Sequence, residues 1–128
     1  MSEDAASIRS WNEIVANYEN AVVRHRLPYE PMRDLVRRLA ESPAASELER
    51  NTSMYTLLVS NAPARSWREN VLRITFLPES QEFEFEYAHY DGDTNIDRKR
   101  CPVADGWDTL SRFIRYKFGI LLPDVPKA

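Results

Sequence analysis

Residues 72–87 read LRITFLPESQEFEFEY, and this stretch decides the fold. Apolar and polar side chains alternate on both sides of a segment containing Pro78, and proline favours the second position of a type I turn. With residues 78 to 81 as the loop, the opposed pairs are Phe76/Phe83, Thr75/Glu84, Ile74/Phe85, Arg73/Glu86 and Leu72/Tyr87. Every apolar residue then meets an apolar residue, whereas a slip of one position would turn the apolar set toward water. The sequence therefore predicts a β-hairpin of residues 71 to 77 and 82 to 90.

Two helices are predicted before this hairpin. Ser10 and Glu13 form a capping box, and the apolar residues behind them recur at helical spacing from about residue 11 to about residue 25. A second helix begins at Pro31, which suits a first helical turn, and runs to about Glu41. Residues 44 to 50 are expected to add further helical turns.

A first strand is predicted from Met54 to Ser60, because this segment is short, rich in β-forming residues and apolar on both faces. Such apolarity is typical of a strand buried on two sides. Either this strand pairs beside residues 83 to 90, or its outer face is covered by a loop, a helix or a second copy of the protein. The polar region from Tyr90 to Pro102 is expected to lie in solvent.

The last helix is predicted to start after Asp105, which can cap it, and to end at Gly119 in a left-handed conformation. The predicted fold class is α+β: two amino-terminal helices, a three-stranded antiparallel sheet and a carboxy-terminal helix packed on one sheet face. The 128 residues fit a single domain, and residues 1 to 8 and 123 to 128 are expected to fray.

Composition restricts the class of function. The net charge of −3 and the pI near 5.4 give no general attraction to phosphate backbones or anionic lipid. Cys101 is the single cysteine, which excludes an internal disulfide and fits a reducing compartment. Because the amino terminus lacks a signal-peptide pattern and no apolar run approaches the length of a membrane span, we expect a cytoplasmic protein without a membrane segment.

The strongest indication of function is a run of carboxylates between Glu79 and Asp97 that contains no Lys or Arg. The carboxylates on one strand face would contact a basic patch on a partner protein. Inhibitors of nucleases and of other nucleic-acid-binding proteins use carboxylates in this way to imitate phosphate. The simpler interpretation is a solvated face whose glutamates oppose Arg73. The candidate partner-binding residues are Glu82, Glu84, Glu86, Asp91, Asp93 and Trp67.

Trp67 is a large aromatic side chain in a predicted loop. Tryptophan is enriched in binding hot spots, but a loop tryptophan also serves to close the open end of a small core. A homodimer is a separate option, in which a second copy of the protein covers the outer face of the first predicted strand.

The alternative function is a small hydrolase or a metal-dependent enzyme. His89, Asp91 and Asp93 would point the same way if the strand continued, which is acceptable geometry for a divalent metal. Cys101 with His89 would form a thiolate pair. No nucleotide, metal or dinucleotide motif accompanies these residues, so we expect no cofactor and favour a non-enzymatic binding module of the inhibitor, immunity or adaptor type.

Calcium and nucleic acid are weaker candidate ligands. Residues 91 to 95 begin like a calcium-binding loop, but Ile96 and Pro102 stand where its glycine and its closing glutamate are required. A nucleic-acid surface would have to bind phosphate against the field of the neighbouring carboxylates. Its basic residues would be Arg98, Lys99, Arg100, Arg112 and Arg115.

Overall fold

The computed structural model describes residues 10–61, 70–88 and 96–122. Its elements are α1 (Trp11–Val23), α2 (Glu30–Glu41), β1 (Glu49–Ser53), β2 (Thr56–Ser60), β3 (Val71–Leu77), β4 (Glu82–Ala88), β5 (Asp97–Pro102) and α3 (Gly106–Phe118). Short 3₁₀ helices, Pro43–Glu47 and Val103–Asp105, precede β1 and α3. The α+β class, the two amino-terminal helices, the antiparallel sheet and the carboxy-terminal helix are confirmed. Within the described ranges, every helix is too short or too polar to cross a lipid bilayer.

The sheet has five strands in the order β1-β2-β3-β4-β5, all antiparallel, so the prediction of three strands is wrong. Residues 44 to 50, expected to be helical turns, divide between the first 3₁₀ helix and β1. Residues 97 to 102, expected to lie free in solvent, form β5. Both added strands lie at sheet edges, where one side of the strand needs no partner and polar side chains are tolerated.

The turn between β1 and β2 explains why this hairpin was not predicted. Ser53 pairs directly with Thr56, and the two residues between them, Met54 and Tyr55, have φ angles of 49° and 69°. Two-residue hairpin turns of this kind normally use glycine or asparagine, because other side chains are strained at positive φ. As a result, β2 begins at Thr56 and not at Met54.

The hairpin of β3 and β4 has the register predicted from its alternation. Phe76 pairs with Phe83, and Ile74 pairs with Phe85. The loop between the strands includes Gln81 at a φ of 55°, and its side-chain amide donates a 2.8 Å hydrogen bond to the carbonyl of Pro78. The second strand is described from Glu82 to Ala88, and residues 89 and 90 of the predicted strand lie outside the described residues.

The helices α1, α2 and α3 pack against one side of the sheet, which we call the inner face. The ring of Phe113 on α3 stacks on Phe85 at 5.6 Å between centroids, and Tyr29, which precedes α2, meets Phe76 edge-on at 6.1 Å. The apolar residues that form this core include Ile14, Tyr18, Met32, Leu35, Val36, Leu39, Leu57, Val59, Leu72, Ile74, Phe76, Phe83, Phe85, Leu110, Ile114 and Phe118. Burial of this apolar surface is the main stabilising contribution.

The start of α1 and the end of α3 follow their sequence signals, whereas the predicted cap of α3 does not form. The Ser10 hydroxyl accepts a 3.1 Å hydrogen bond from the backbone N–H of Glu13, whose carboxylate accepts one from Ser10 in return. Gly119 ends α3 in the left-handed conformation with φ of 72°. Asp105 stands at the amino-terminal cap of α3, but its side chain makes no capping hydrogen bond.

The opposite side of the sheet, the outer face, is divided into two parts. At one end, Leu58, Ser60, Val71 and Ala88 are buried within a single copy of the chain, although they lie outside the core cluster. Since β2 pairs with β1 and β3, the option that it lies beside residues 83 to 90 is wrong. The apolarity of β2 on both faces is therefore satisfied without a second copy of the protein.

Candidate functional site

The other end of the outer face carries the three glutamates singled out from the sequence. Glu82, Glu84 and Glu86 alternate with the buried Phe83 and Phe85 along β4, so their side chains share the face that no core residue of β4 occupies. This part of the outer face, with the neighbouring side chains of β3 and β5, is called the glutamate face below.

Two of the glutamates are paired with arginines of β5. In the register, Glu86 lies opposite Arg98 and Glu84 lies opposite Arg100. Arg98 Nη2 donates a 2.6 Å hydrogen bond to Glu86 Oε2, and Arg100 Nε donates one of 3.3 Å to Glu84 Oε2. The hydrogen bond and the charge of Glu86 both raise the pKa of Arg98 above its ordinary value. The acidic row of the sequence is thus balanced by a basic row one strand away.

Glu82 differs from the other two glutamates in its neighbours. It pairs with Leu77 on β3 and with Pro102 on β5, neither of which carries a charge. On the β2–β3 side, the hydroxyls of Thr56 and Thr75 lie 3.1 Å apart in a hydrogen bond. The glutamate face therefore combines one carboxylate beside apolar neighbours with two ion pairs and a hydroxyl pair.

Cys101 lies on the inner face and is buried, opposite Phe83 in the β4–β5 register. Burial raises the pKa of its thiol, although a hydrogen bond with Thr109 acts in the opposite direction. Because the thiolate and not the thiol is the nucleophile, this environment gives no support to a catalytic cysteine.

Four of the residues singled out from the sequence, Trp67, His89, Asp91 and Asp93, lie outside the described residues. Among residues 10–61, 70–88 and 96–122, no three His, Cys, Asp or Glu side chains are grouped as metal ligands would be. The predicted partner-binding set is therefore placed only for its three glutamates.

A cleft of about 370 Å³ lies between the edge strand β5 and α3. Its lining residues are Asp97, Arg98, Lys99, Arg112, Phe113, Tyr116 and Lys117. The basic members Arg98, Lys99 and Arg112 belong to the group considered for nucleic acid. Phe113, Tyr116 and Lys117 were not predicted to take part, although their spacing along α3 relative to Arg112 puts them on adjoining positions of one helix face.

A second cavity of about 310 Å³ lies between α2 and the start of α3. The guanidinium carbon of Arg38 lies 4.1 Å from the ring centroid of Trp107, and Glu30 and Asp34 line the rim. The indole nitrogen of Trp107 is buried without a hydrogen-bond partner in the described part of the chain. The cation of Arg38 is thus held against an aromatic ring of the cavity, while the Asp34 carboxylate pairs with Arg33 at 3.1 Å.

No protein-family model, curated protein or solved structure matches this chain. Function therefore has to be inferred from the geometry of the chain itself.

Proposed function

We propose that the chain is a non-enzymatic protein-binding module and that the glutamate face is its contact surface. The observation that carries the proposal is the position of Glu82, Glu84 and Glu86 on the sheet face opposite the three helices, where the sheet holds their spacing fixed. A rigid, partly open sheet face needs no reordering on binding, which lowers the entropic cost of association.

The charge pattern of this face favours a partner of matching pattern. The ion pairs of Glu84 with Arg100 and Glu86 with Arg98 are exposed, with both arginine side chains 57% accessible. Exposed pairs contribute little net stability and are screened by salt, so a partner can exchange its own charges with them. We expect the partner to offer a basic group to Glu82 and acidic groups to the two arginines.

Glu82 is the residue expected to confer most of the specificity for a basic partner. It stands between Leu77 and Pro102 in the register, so a cation that approaches it also removes apolar surface from water. A charge pair formed beside apolar neighbours is less screened than one in open solvent. Replacement of Glu82 by lysine is therefore expected to reduce binding more than a comparable change elsewhere.

The test is quantitative recovery of partner proteins by the tagged chain. The variants are Glu82→Lys and the double exchange of Glu84→Arg with Arg100→Glu, which keeps opposite charges facing each other while it inverts the surface pattern. Glu47→Lys, in the exposed part of the first 3₁₀ helix, makes the same change of charge at a distant site. A specific partner should be lost with both glutamate-face variants and kept with Glu47→Lys.

Circular dichroism and the thermal midpoint of each variant serve as the folding control. If every specifically recovered protein is kept by both folded glutamate-face variants, this face is not the contact surface.

A further inference from the structure

The cleft between β5 and α3 has a positive rim in a chain of negative net charge. The lining residues include four cations and one carboxylate: Arg98, Lys99, Arg112 and Lys117, and Asp97. The whole chain, by contrast, carries a net charge of −3. A local excess of one sign in a concave site concentrates ligands of the opposite sign.

The cations of the cleft differ in how they are balanced. Lys117 forms an ion pair with Asp97, and Arg112 pairs with Asp108 at 3.0 Å. Arg98 pairs with Glu86 of β4 at 2.6 Å. The backbone of Lys99 belongs to the β4–β5 pairing, but its side chain takes part in no hydrogen bond or ion pair within the part of the chain that the structure describes. Since it pairs with Phe85 in the register, Lys99 lies on the inner face, on the side of the sheet that α3 covers.

The floor of the cleft is aromatic. Phe113 stacks on Phe85 with an angle of 14° between the ring planes, which fixes its ring in the cleft. Tyr116 is 75% exposed and lies one helical turn beyond Arg112. An exposed aromatic side chain beside cations suits a ligand that has both a ring and a negative charge.

We propose that this cleft binds a small aromatic anion, with the anionic group held by Lys99 and Arg112. The ring of the ligand lies against Phe113 and Tyr116. The exposed pair of Arg112 with Asp108 contributes little, so Arg112 can donate to the ligand at small cost. A cleft of about 370 Å³ is within the size range of small-molecule sites.

The test is a titration of the ¹⁵N-labelled full chain with phenyl phosphate, followed by two-dimensional NMR. We expect shifts in β5 and α3 and a Kd on the order of 1 mM, as suits so small a ligand in an open cleft. Lys99→Gln should weaken binding about tenfold, because a charge-assisted hydrogen bond is lost. Tyr116→Ala should weaken binding about fivefold, because the ring contact is lost.

Inorganic phosphate and phenol separate the two parts of the proposed recognition. Both should bind at least about tenfold more weakly than phenyl phosphate, because each keeps only one of the two contacts. Equal affinity for inorganic phosphate would overturn the proposal, since it would reduce the site to charge attraction alone. Equal affinity for phenol would overturn it as well.

Arg24→Gln removes one exposed cation at the end of α1 and is the matched control for Lys99→Gln. It should leave the affinity unchanged, and an equal loss with both variants would contradict a local site. The double variant Glu84→Arg with Arg100→Glu should also leave the affinity for phenyl phosphate unchanged. The same variant therefore tests the glutamate face as a contact surface without affecting the test of this cleft.

Discussion

Gly106 and Phe83 approach each other so closely that the first residue of α3 has no room for a side chain. A Cβ at Gly106 would lie 2.5 Å from Cε2 and 2.6 Å from Cδ2 of the Phe83 ring. The ring is buried between the sheet and the helix, so it has little freedom to move aside. This contact sets how near the start of α3 comes to β4.

Gly106→Ala is expected to lower the free energy of unfolding by about 1 to 2 kcal/mol. Overpacking in a core costs about 1–3 kcal/mol, and the gain in helix propensity from glycine to alanine returns up to about 1 kcal/mol. Urea unfolding followed by tryptophan fluorescence measures the change. Phe83→Leu should lower the free energy of unfolding less in the Gly106→Ala background than in the wild type. An unchanged or higher stability of Gly106→Ala would show that the Phe83 ring can move aside.

Tyr18→Phe is expected to stabilise the chain by about 1 kcal/mol. The Tyr18 hydroxyl is buried without a hydrogen-bond partner in the described residues, and an unsatisfied buried polar group is costly. The measurement is the urea midpoint at constant slope m. Tyr55→Phe, on a ring 6.0 Å from that of Tyr18 but only half-buried, is the control and should change stability by less.

The same pair of variants gives a pH dependence with a definite sign. Burial is the largest cause of the raised pKa of Tyr18, and the charges of Tyr29 and Tyr55 add to it. A pKa that is higher in the folded than in the unfolded chain gives stability that is present below about pH 10, the unfolded pKa, and is lost as the pH rises above it. The wild type should therefore lose stability more steeply than Tyr18→Phe above pH 10, and parallel curves would contradict burial of the phenol.

The register of the β3–β4 hairpin was predictable because its two faces differ sharply in polarity. Only one register puts Ile74 against Phe85 and Arg73 against Glu86, and that register is observed. The alternation of apolar and polar residues within each strand is enough to predict which residues pair across the hairpin. This is the part of the fold where local pattern and tertiary structure agree.

The edge strands were missed because their own residues are polar. β5 reads DRKRCP, which by itself resembles a solvated segment. Its pairing is visible only when Arg98 and Arg100 are compared with Glu86 and Glu84, since both sets alternate with a period of two. The cleft was missed for a related reason: its residues come from β5 and α3, which meet only because β5 pairs with β4 and α3 packs on the inner face.

Met54→Asn is expected to raise stability by about 0.5 to 1 kcal/mol. Met54 has a φ of 49° and is 94% exposed, so the substitution relieves strain and sacrifices almost no buried surface. Asparagine is one of the few residues that adopts this conformation readily. The urea midpoint measures the change. Tyr55→Asn is the contrasting variant: its φ of 69° is also strained, but its ring packs on Tyr29 at 5.3 Å, so this change should destabilise.

Cys101 is expected to react with thiol reagents at least about 100-fold more slowly in the folded chain than in the chain unfolded in urea. Burial raises the pKa of the thiol and excludes the reagent, so the reaction requires local opening of β5. The measurement is the rate of labelling at pH 8, with and without denaturant.

The raised pKa of Cys101 also predicts how its contribution to stability depends on pH. The thiol is held neutral in the folded chain, so its contribution is present below the unfolded pKa, near 9, and is lost as the pH rises through the folded pKa. The stability difference between wild type and Cys101→Ala should shrink above pH 9. Tyr18 is present in both proteins, so its titration cancels from the comparison.

A labelling rate in the folded chain equal to that in the unfolded chain would identify an accessible thiolate at Cys101. The alternative of an enzyme that uses Cys101 would then regain support over the binding module.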